Sequence, residues 1–458
     1  MRHFDLCIIG SGSGNSIPDE RFADLDIAIV EKGTYGGTCL NVGCIPTKML
    51  VYPADLAASP ETAARLGVDL TFSRARWEEI RDRVFGRIDP ISAAGEASRR
   101  QSKNITLFRA EAHFVGPKTL DTGTGEVITA DQFVLAAGSR AVLPEIDGLE
   151  SVTVHTSDTV MRLPSLPDSI LIVGGGFIAA EFSHIFSAFG VRVTIVNRSE
   201  ALLRHEDRDV SARFTQLMSK RVDVRLHTTV SHVERRDGDR VAVTIAREGG
   251  APETLEADVL LIATGRMPNG DTLNLSETGV KVDDDGYVVV DEHQRTSADG
   301  IYALGDVSSP YQLKHVANEE MRVVQHNLLH ADDLQVSKQR YVPHAVFSEP
   351  QVASVGLTEE EAKERGISYV TAVQDYGSVA YGWAMEDTDH FAKLLADPAS
   401  GQLIGAHLIG PQASSLIQPL IQAMTFGLPA QEMARGQYWI HPAMSELVEN
   451  ALLALTLD

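Results

Sequence analysis

The apolar residues of this chain gather into short unbroken runs that end in glycine-rich turns. Leu6-Cys7-Ile8-Ile9 leads into Gly10-Ser11-Gly12-Ser13-Gly14, and a second run, Ile27-Ala28-Ile29-Val30, follows and ends in Glu31. The pattern returns at Ile170-Leu171-Ile172-Val173, then Gly174-Gly175-Gly176-Phe177-Ile178-Ala179, then Val191 to Val196. Runs without polar alternation predict strands of a parallel sheet covered on both faces. Strand, glycine turn, helix and second strand make a dinucleotide fold, in which the tight turn brings backbone amides to a pyrophosphate at a helix start. One glycine fingerprint is weak; two, each closed by another strand about 20 residues later, are strong. Both copies lack the third glycine, having Asn15 and Ala179 there. Alanine is readily accommodated, whereas Asn15 followed by Pro18 predicts an unusual entry to the first helix.

Further apolar runs end in Ala136-Ala137-Gly138, in Ala263-Thr264-Gly265-Arg266 and in Tyr302-Ala303-Leu304-Gly305-Asp306. Together they predict an α/β fold with two Rossmann-like dinucleotide-binding domains. The first takes residues 1–150 and 269–335, and the second, inserted, takes 151–268. Residues 336–458 carry alternating apolar segments and helical runs but no glycine fingerprint, which predicts a separate C-terminal α+β domain.

Composition narrows the function classes. The 458 residues are 43% hydrophobic and 22% charged, as in a globular chain. No stretch approaches the roughly 20 apolar residues of a membrane span, and the first strand begins too near Met1 for a signal peptide, so a cytoplasmic protein is expected. A net charge of −23 argues against nucleic acid and anionic membranes as partners. Three cysteines exclude a structural disulfide framework, so any disulfide is expected to be functional.

Two of those cysteines lie in Gly36-Gly37-Thr38-Cys39-Leu40-Asn41-Val42-Gly43-Cys44-Ile45-Pro46. A C-x4-C pair is not zinc-like, and no second Cys/His pair follows, so no metal site is expected. Pro46 suits the first turn of a helix, which puts Cys44 at a helix N-terminus where unpaired amides and the dipole stabilise a thiolate. The plainer reading is a pair of ordinary buried cysteines. Cys7, inside the first strand, reads as a small buried hydrophobe.

The run Gly36 to Lys48, both fingerprints, Asp306 and His441-Pro442-Ala443-Met444-Ser445-Glu446 together resemble the flavoprotein disulfide reductases, the family of glutathione reductase and lipoamide dehydrogenase. The likeness covers nearly the whole chain. Gly12 to Ser16, the short first crossover and the ending His441 to Asn450 are most similar to a branch acting on a low-molecular-weight disulfide with neutral sugar–inositol groups. The resemblance implies FAD in the first fold. Gly10, Gly12 and Gly14 would meet its pyrophosphate and Glu31 its adenosine ribose. Thr38 and Lys48 would lie along the flavin, Ala112 would make a main-chain contact, and Asp306 and Ala317 would anchor the ribityl chain and ring. Asp306 is also readable as a helix cap, a role compatible with the other.

The second fold would take the reductant at Gly174, Gly176, Ile178, Glu181 and Gly265, with Phe177 as an aromatic gate or simply a core aromatic. A carboxylate closing the second strand selects NAD. Here Asn197 stands instead, followed by Arg198 and Arg204, similar to arginines that clamp the 2′-phosphate of NADPH. Solvated surface arginines are the competing reading. Resemblance further implies a Cys39–Cys44 redox disulfide, with Cys39 attacking a small-molecule disulfide substrate, and His441 oriented by Glu446 as acid–base. These two would come from the partner subunit of a homodimer, through a C-terminal dimerisation domain; a lone His-Pro, by contrast, is usually structural. Lipoamide dehydrogenase or glutathione-type activity is the enzymatic alternative, and a flavin-binding redox sensor without turnover the non-enzymatic one.

Overall fold

The computed structural model describes residues 1–457, which group into two compact units. One comprises residues 1–47, 81–142 and 265–339, and the other 48–80, 143–264 and the described residues from 340 on.

The first unit is built on a seven-stranded sheet. Strands Ile105–Phe108, Ile27–Val30, Arg2–Ile9, Val127–Leu135 and Ile301–Ala303 lie parallel in that order, with Ile8 beside both Ile29 and Val134. Thr119–Asp121 and His113–Gly116 add an antiparallel extension. Alternate residues of the unbroken runs serve two cores: Cys7, Ile9, Ala28 and Val30 face one cluster, and Leu6, Ile8, Ile27 and Ile29 the other. This is why the runs carry no polar alternation.

The expected first helix is absent. Between Ile9 and Ile27 the chain makes only two 3-10 turns, Gly14–Ser16 and Glu20–Phe22. Pro18 lacks the amide that a continuing helix needs there, and Asp19 caps the second turn by accepting from the Arg21 amide at 2.9 Å. Asn15 accepts from the Tyr35 hydroxyl and from Arg99 Nε (2.9 Å), and Arg99 also bonds the Asn15 and Pro18 carbonyls at 2.6 and 3.2 Å. Arg99 belongs to the long helix Trp77–Gln101, so a later helix braces the segment. Ile17 and Phe22 pack with Val324 and Leu328 on the same face of the sheet.

In the second unit, parallel strands run in the order Asp223–Arg225, Arg192–Val196, Ser169–Val173, Val259–Ile262 and Val154–His155. Here the glycine turn does lead into a helix, Phe177–Ala188, with Gly176 at its N-cap. The C-terminal part is an antiparallel sheet: His344–Val346, Val352–Gly356, Leu403–Ile409, Phe391–Ala396 and Val370–Asp375. Residues of helices Gln418–Phe426, Ala430–Arg435 and Glu446–Leu453 share one core cluster with this sheet. The fold class is therefore α/β with two Rossmann-like sheets and a C-terminal α+β region. No helix among the described residues is long and apolar enough to cross a membrane.

Candidate active site

Cys39 and Cys44 form a disulfide, their Cα atoms 4.7 Å apart. Cys39 sits on the short helix Gly37–Asn41, and Cys44 opens helix Cys44–Arg65, with Pro46 inside its first turn. Both cysteines reach the surface, Cys44 more fully, which excludes the buried-pair reading. Gly36 and Gly37 have φ of +101° and +75°, and a Cβ on Gly37 would lie 2.5 Å from the Cα of Gly12. The glycine thus lets the cysteine segment abut the first dinucleotide turn, backbone against backbone. A polar chain ties the same two turns: Gly36 N donates to Ser11 Oγ (2.9 Å), and Ser11 Oγ donates to Glu31 (2.6 Å). Glu31 also accepts from the amides of Ser11 (2.8 Å) and Gly33 (2.6 Å), fixing it at the strand end.

The first turn has the form of a phosphate cradle. Gly10 has φ +107°, and a Cβ there would strike the Ala136 carbonyl oxygen at 2.1 Å; on Gly14 it would meet Ala136 and Ile8 at 2.8 and 2.9 Å. Among the described residues, the amides of Gly12 and Ser13 donate to no group within the protein. Uncommitted amides on bare backbone suit an anionic oxygen, so the residues present fit FAD.

Asp306 lies inside a 3-10 turn whose cap is Leu304, which corrects the helix-cap reading. Its carboxylate accepts from Ser139 Oγ at 2.7 Å, and Ser139 Oγ accepts from Arg266 Nε at 3.0 Å. Ala317 is buried and faces Gly305, where a Cβ would stand 3.4 Å from its own; Ala112 is buried too, whereas Thr38 is exposed. Gly265 has φ +127° and accepts from the Val142 amide at 2.9 Å.

Sequence reasoning missed two residues in this unit. Glu320 is buried on helix Lys314–Asn327 and accepts from the Gly305 amide at 2.7 Å, next to Asp306; burial pushes its carboxyl up to about 7. Lys314, half-buried, donates to Ser13 Oγ at 2.8 Å. Neither carries a motif. For Glu320 the signal was a charged residue at a position that helical periodicity assigns to the covered face; Lys314 lies off that face and gave none.

In the second unit, Gly174 has φ +124°, and a Cβ there would meet the Ala263 carbonyl oxygen at 2.2 Å, while Gly176 faces open space. Asn197 is buried and donates to the Ala201 and Ser199 carbonyls (2.9 and 3.3 Å), and its side chain lies where a Gly175 Cβ would project. It shapes the loop that follows. That loop folds back, Leu203 N donating to the Gly175 carbonyl at 2.7 Å, so Arg204 emerges at the rim of the glycine turn. Arg198 and Arg204 are exposed, and among the described residues neither forms an internal ion pair. Phe177 is 52% exposed at its helix start, which excludes the core-aromatic reading; Ile178 is half-buried.

Lys48 and Glu181, expected on different cofactors, are brought together: Lys48 Nζ lies 2.6 and 2.7 Å from the two carboxylate oxygens and 4.6 Å from the Phe347 ring centroid. The Phe347 amide also donates to Glu181, at 2.9 Å. His441 Nδ1 pairs with Glu446 Oε1 at 2.6 Å, and the histidine side chain is 71% exposed. Glu446 heads helix Glu446–Leu453, and its Oε2 is buried without a partner. With Nδ1 held by Glu446, Nε2 is left facing away from the carboxylate.

Comparison with known proteins gives the class that this geometry belongs to. Residues 4–325 match the model "Pyridine nucleotide-disulphide oxidoreductase" and residues 342–452 its "dimerisation domain". The chain belongs to this family, whose members pair FAD and NAD(P)H with a disulfide. It is 56% identical to mycothione reductase of Mycobacterium tuberculosis, over 99% of this chain and all of that one. Identity to dihydrolipoyl dehydrogenase of Corynebacterium glutamicum is 34%, over 98% and 97%. Among solved structures, the HOCl-induced flavoprotein disulfide reductase RclA from Escherichia coli, determined as a Cu(II) complex, superposes with a TM-score of 0.86 at 27% identity, covering 99% of both chains.

Proposed function

We propose that the chain uses NADPH to reduce mycothione, the disulfide of mycothiol, through the Cys39–Cys44 pair. The observation that carries this reading is a surface disulfide packed against a dinucleotide turn, in a chain 56% identical to a mycothione reductase. Gly10, Gly12, Gly14, Glu31, Thr38, Ala112, Asp306 and Ala317 would hold FAD. Gly174, Gly176, Phe177, Ile178, Gly265, Arg198 and Arg204 would hold NADPH, and the Lys48–Glu181 pair would stand between the two tasks. Bound FAD supplies the conversion of a hydride from NADPH into an electron pair for the disulfide.

The chain's own residues do the rest. In the reduced pair Cys39, as thiolate, attacks one sulfur of the substrate disulfide; its S–S bond breaks, a mixed disulfide forms on Cys39 and one thiolate leaves. His441 gives that thiolate a proton, with Glu446 holding Nδ1 and stabilising the imidazolium. Cys44, as thiolate, then attacks the Cys39 sulfur, re-forming the Cys39–Cys44 bond and expelling the second thiolate, which takes its proton from solvent. We assign His441 and Glu446 to the partner's site in a homodimer. The support is the dimerisation-domain match and the apolar flank of His441: Tyr438 and Ile440 are fully and 75% exposed.

On the same reading residues 1–150 with 269–335 serve FAD, 151–268 NADPH and 336–458 dimerisation, in a cytoplasmic enzyme. NADPH and NADH oxidation with mycothione, glutathione disulfide and lipoamide tests the assignment. Mycothione with NADPH is expected to turn over at least tenfold faster than the other pairs; equal or better turnover of lipoamide with NADH would replace this reading by the dehydrogenase one.

A further inference from the structure

The first glycine turn lacks the helix that ordinarily follows such a turn. A helix N-terminus carries roughly half an elementary charge and normally faces the pyrophosphate; here only the single turn Gly14–Ser16 stands in its place. A dianionic pyrophosphate entering a chain of net charge −23 needs local positive charge all the more.

Two cations hydrogen-bond to this turn. Arg99 spends each of its three nitrogens on the side chain and carbonyl of Asn15 and the carbonyl of Pro18, so it braces the backbone. Lys314 differs. It opens helix Lys314–Asn327, is half-buried, and among the described residues its ammonium bonds only Ser13 Oγ, at 2.8 Å; Ser13 Oγ itself donates onward to Asn318 Oδ1 at 3.4 Å. Among the described residues no carboxylate lies within ion-pair distance of it, and burial draws its pKa down against the opposing charge of Asp306. A partly desolvated ammonium with two uncommitted N–H bonds, beside the free amides of Gly12 and Ser13, is a site for an anionic oxygen.

We propose that Lys314 is a cofactor-binding residue whose ammonium, positioned by Ser13, neutralises the FAD pyrophosphate in place of the absent helix N-terminus. The proposal rests on the reading of Gly10, Gly12 and Gly14 as the FAD turn.

The test titrates full-length deflavinated protein with FAD and with riboflavin, which has the ring and ribityl chain but no phosphate, at low and high salt. Lys314→Met is expected to weaken FAD about 10- to 100-fold, the scale of a lost charge-assisted hydrogen bond, to leave riboflavin unchanged, and to flatten the salt dependence of FAD binding. Lys314→Arg should restore most of the affinity. Equal losses for both ligands, or no loss for either, would overturn the proposal. If Lys314→Met does not fold by circular dichroism, Lys314→Gln is judged by the same FAD-to-riboflavin ratio. Failure of the unsubstituted protein to bind FAD would strike the glycine-turn reading instead.

Discussion

At the scale of single residues, the roles proposed for the two cysteines are separable by substitution. Cys44→Ser should accumulate a stable mixed disulfide on Cys39 when treated with mycothione, seen as a mass increase of one mycothiol, whereas Cys39→Ser should form none and lose turnover. Adduct on Cys44 rather than Cys39 would reverse the assignment. Replacing Arg198 and Arg204 together with alanine should raise the KM for NADPH about 10- to 100-fold and leave that for NADH nearly unchanged, the bonds being worth less than a buried pair because both side chains are exposed. An unchanged KM for NADPH would remove the clamp. Glu320 makes a pH prediction. Its folded pKa of about 7 lies above the ordinary 4.5, so the folded state holds its proton longer and stability falls as pH rises from about 4.5 to 7. Glu320→Gln should flatten that slope, worth at most about 3 kcal/mol, in thermal melts across the window.

At the scale of elements, buried charge determines where segments lock. Lys393, in the strand Phe391–Ala396, is buried and bonds Asp207 (2.9 Å) and Asp209 (2.6 Å), and it lies 2.7 Å from Glu359. Burial pulls its pKa down, but the three carboxylates more than reverse this and hold it charged; Glu359, helped first by Lys363, is lowered to about 2. Lys393→Met would leave the fully buried Asp207 carboxylate without its cation, a loss of about 3–5 kcal/mol, read in urea unfolding; a loss below about 1 kcal/mol would mean the strand and helix Arg208–Arg221 hold without the lysine. Nothing in the sequence pattern marked this cluster, since its members lie far apart along the chain and each alone reads as a surface charge. The missing first helix was half legible: Asn15 and Pro18 announced a disturbance, but its replacement by Arg99 of a helix some 80 residues later was not readable from local spacing.

At the scale of the whole molecule, the assignment of His441 to the partner's site has a direct test. Cys39→Ser and His441→Ala should each be inactive as homodimers. Mixing them through reversible dissociation should restore about one quarter of wild-type activity, because half of the dimers are then hybrid and each hybrid has one complete site. No recovery despite hybrid formation would mean that His441 serves its own chain.

Sequence by itself determined the two dinucleotide folds, the redox pair and the family, because each rests on short-range chemistry: unbroken apolar runs, glycines where a Cβ would collide, and cysteines five positions apart. Tertiary structure alone decided which charges meet. Lys48 finds Glu181, Lys393 finds Asp207 and Lys314 finds Ser13 only once distant segments fold together, and in a low-dielectric interior that proximity determines what a charged side chain can do.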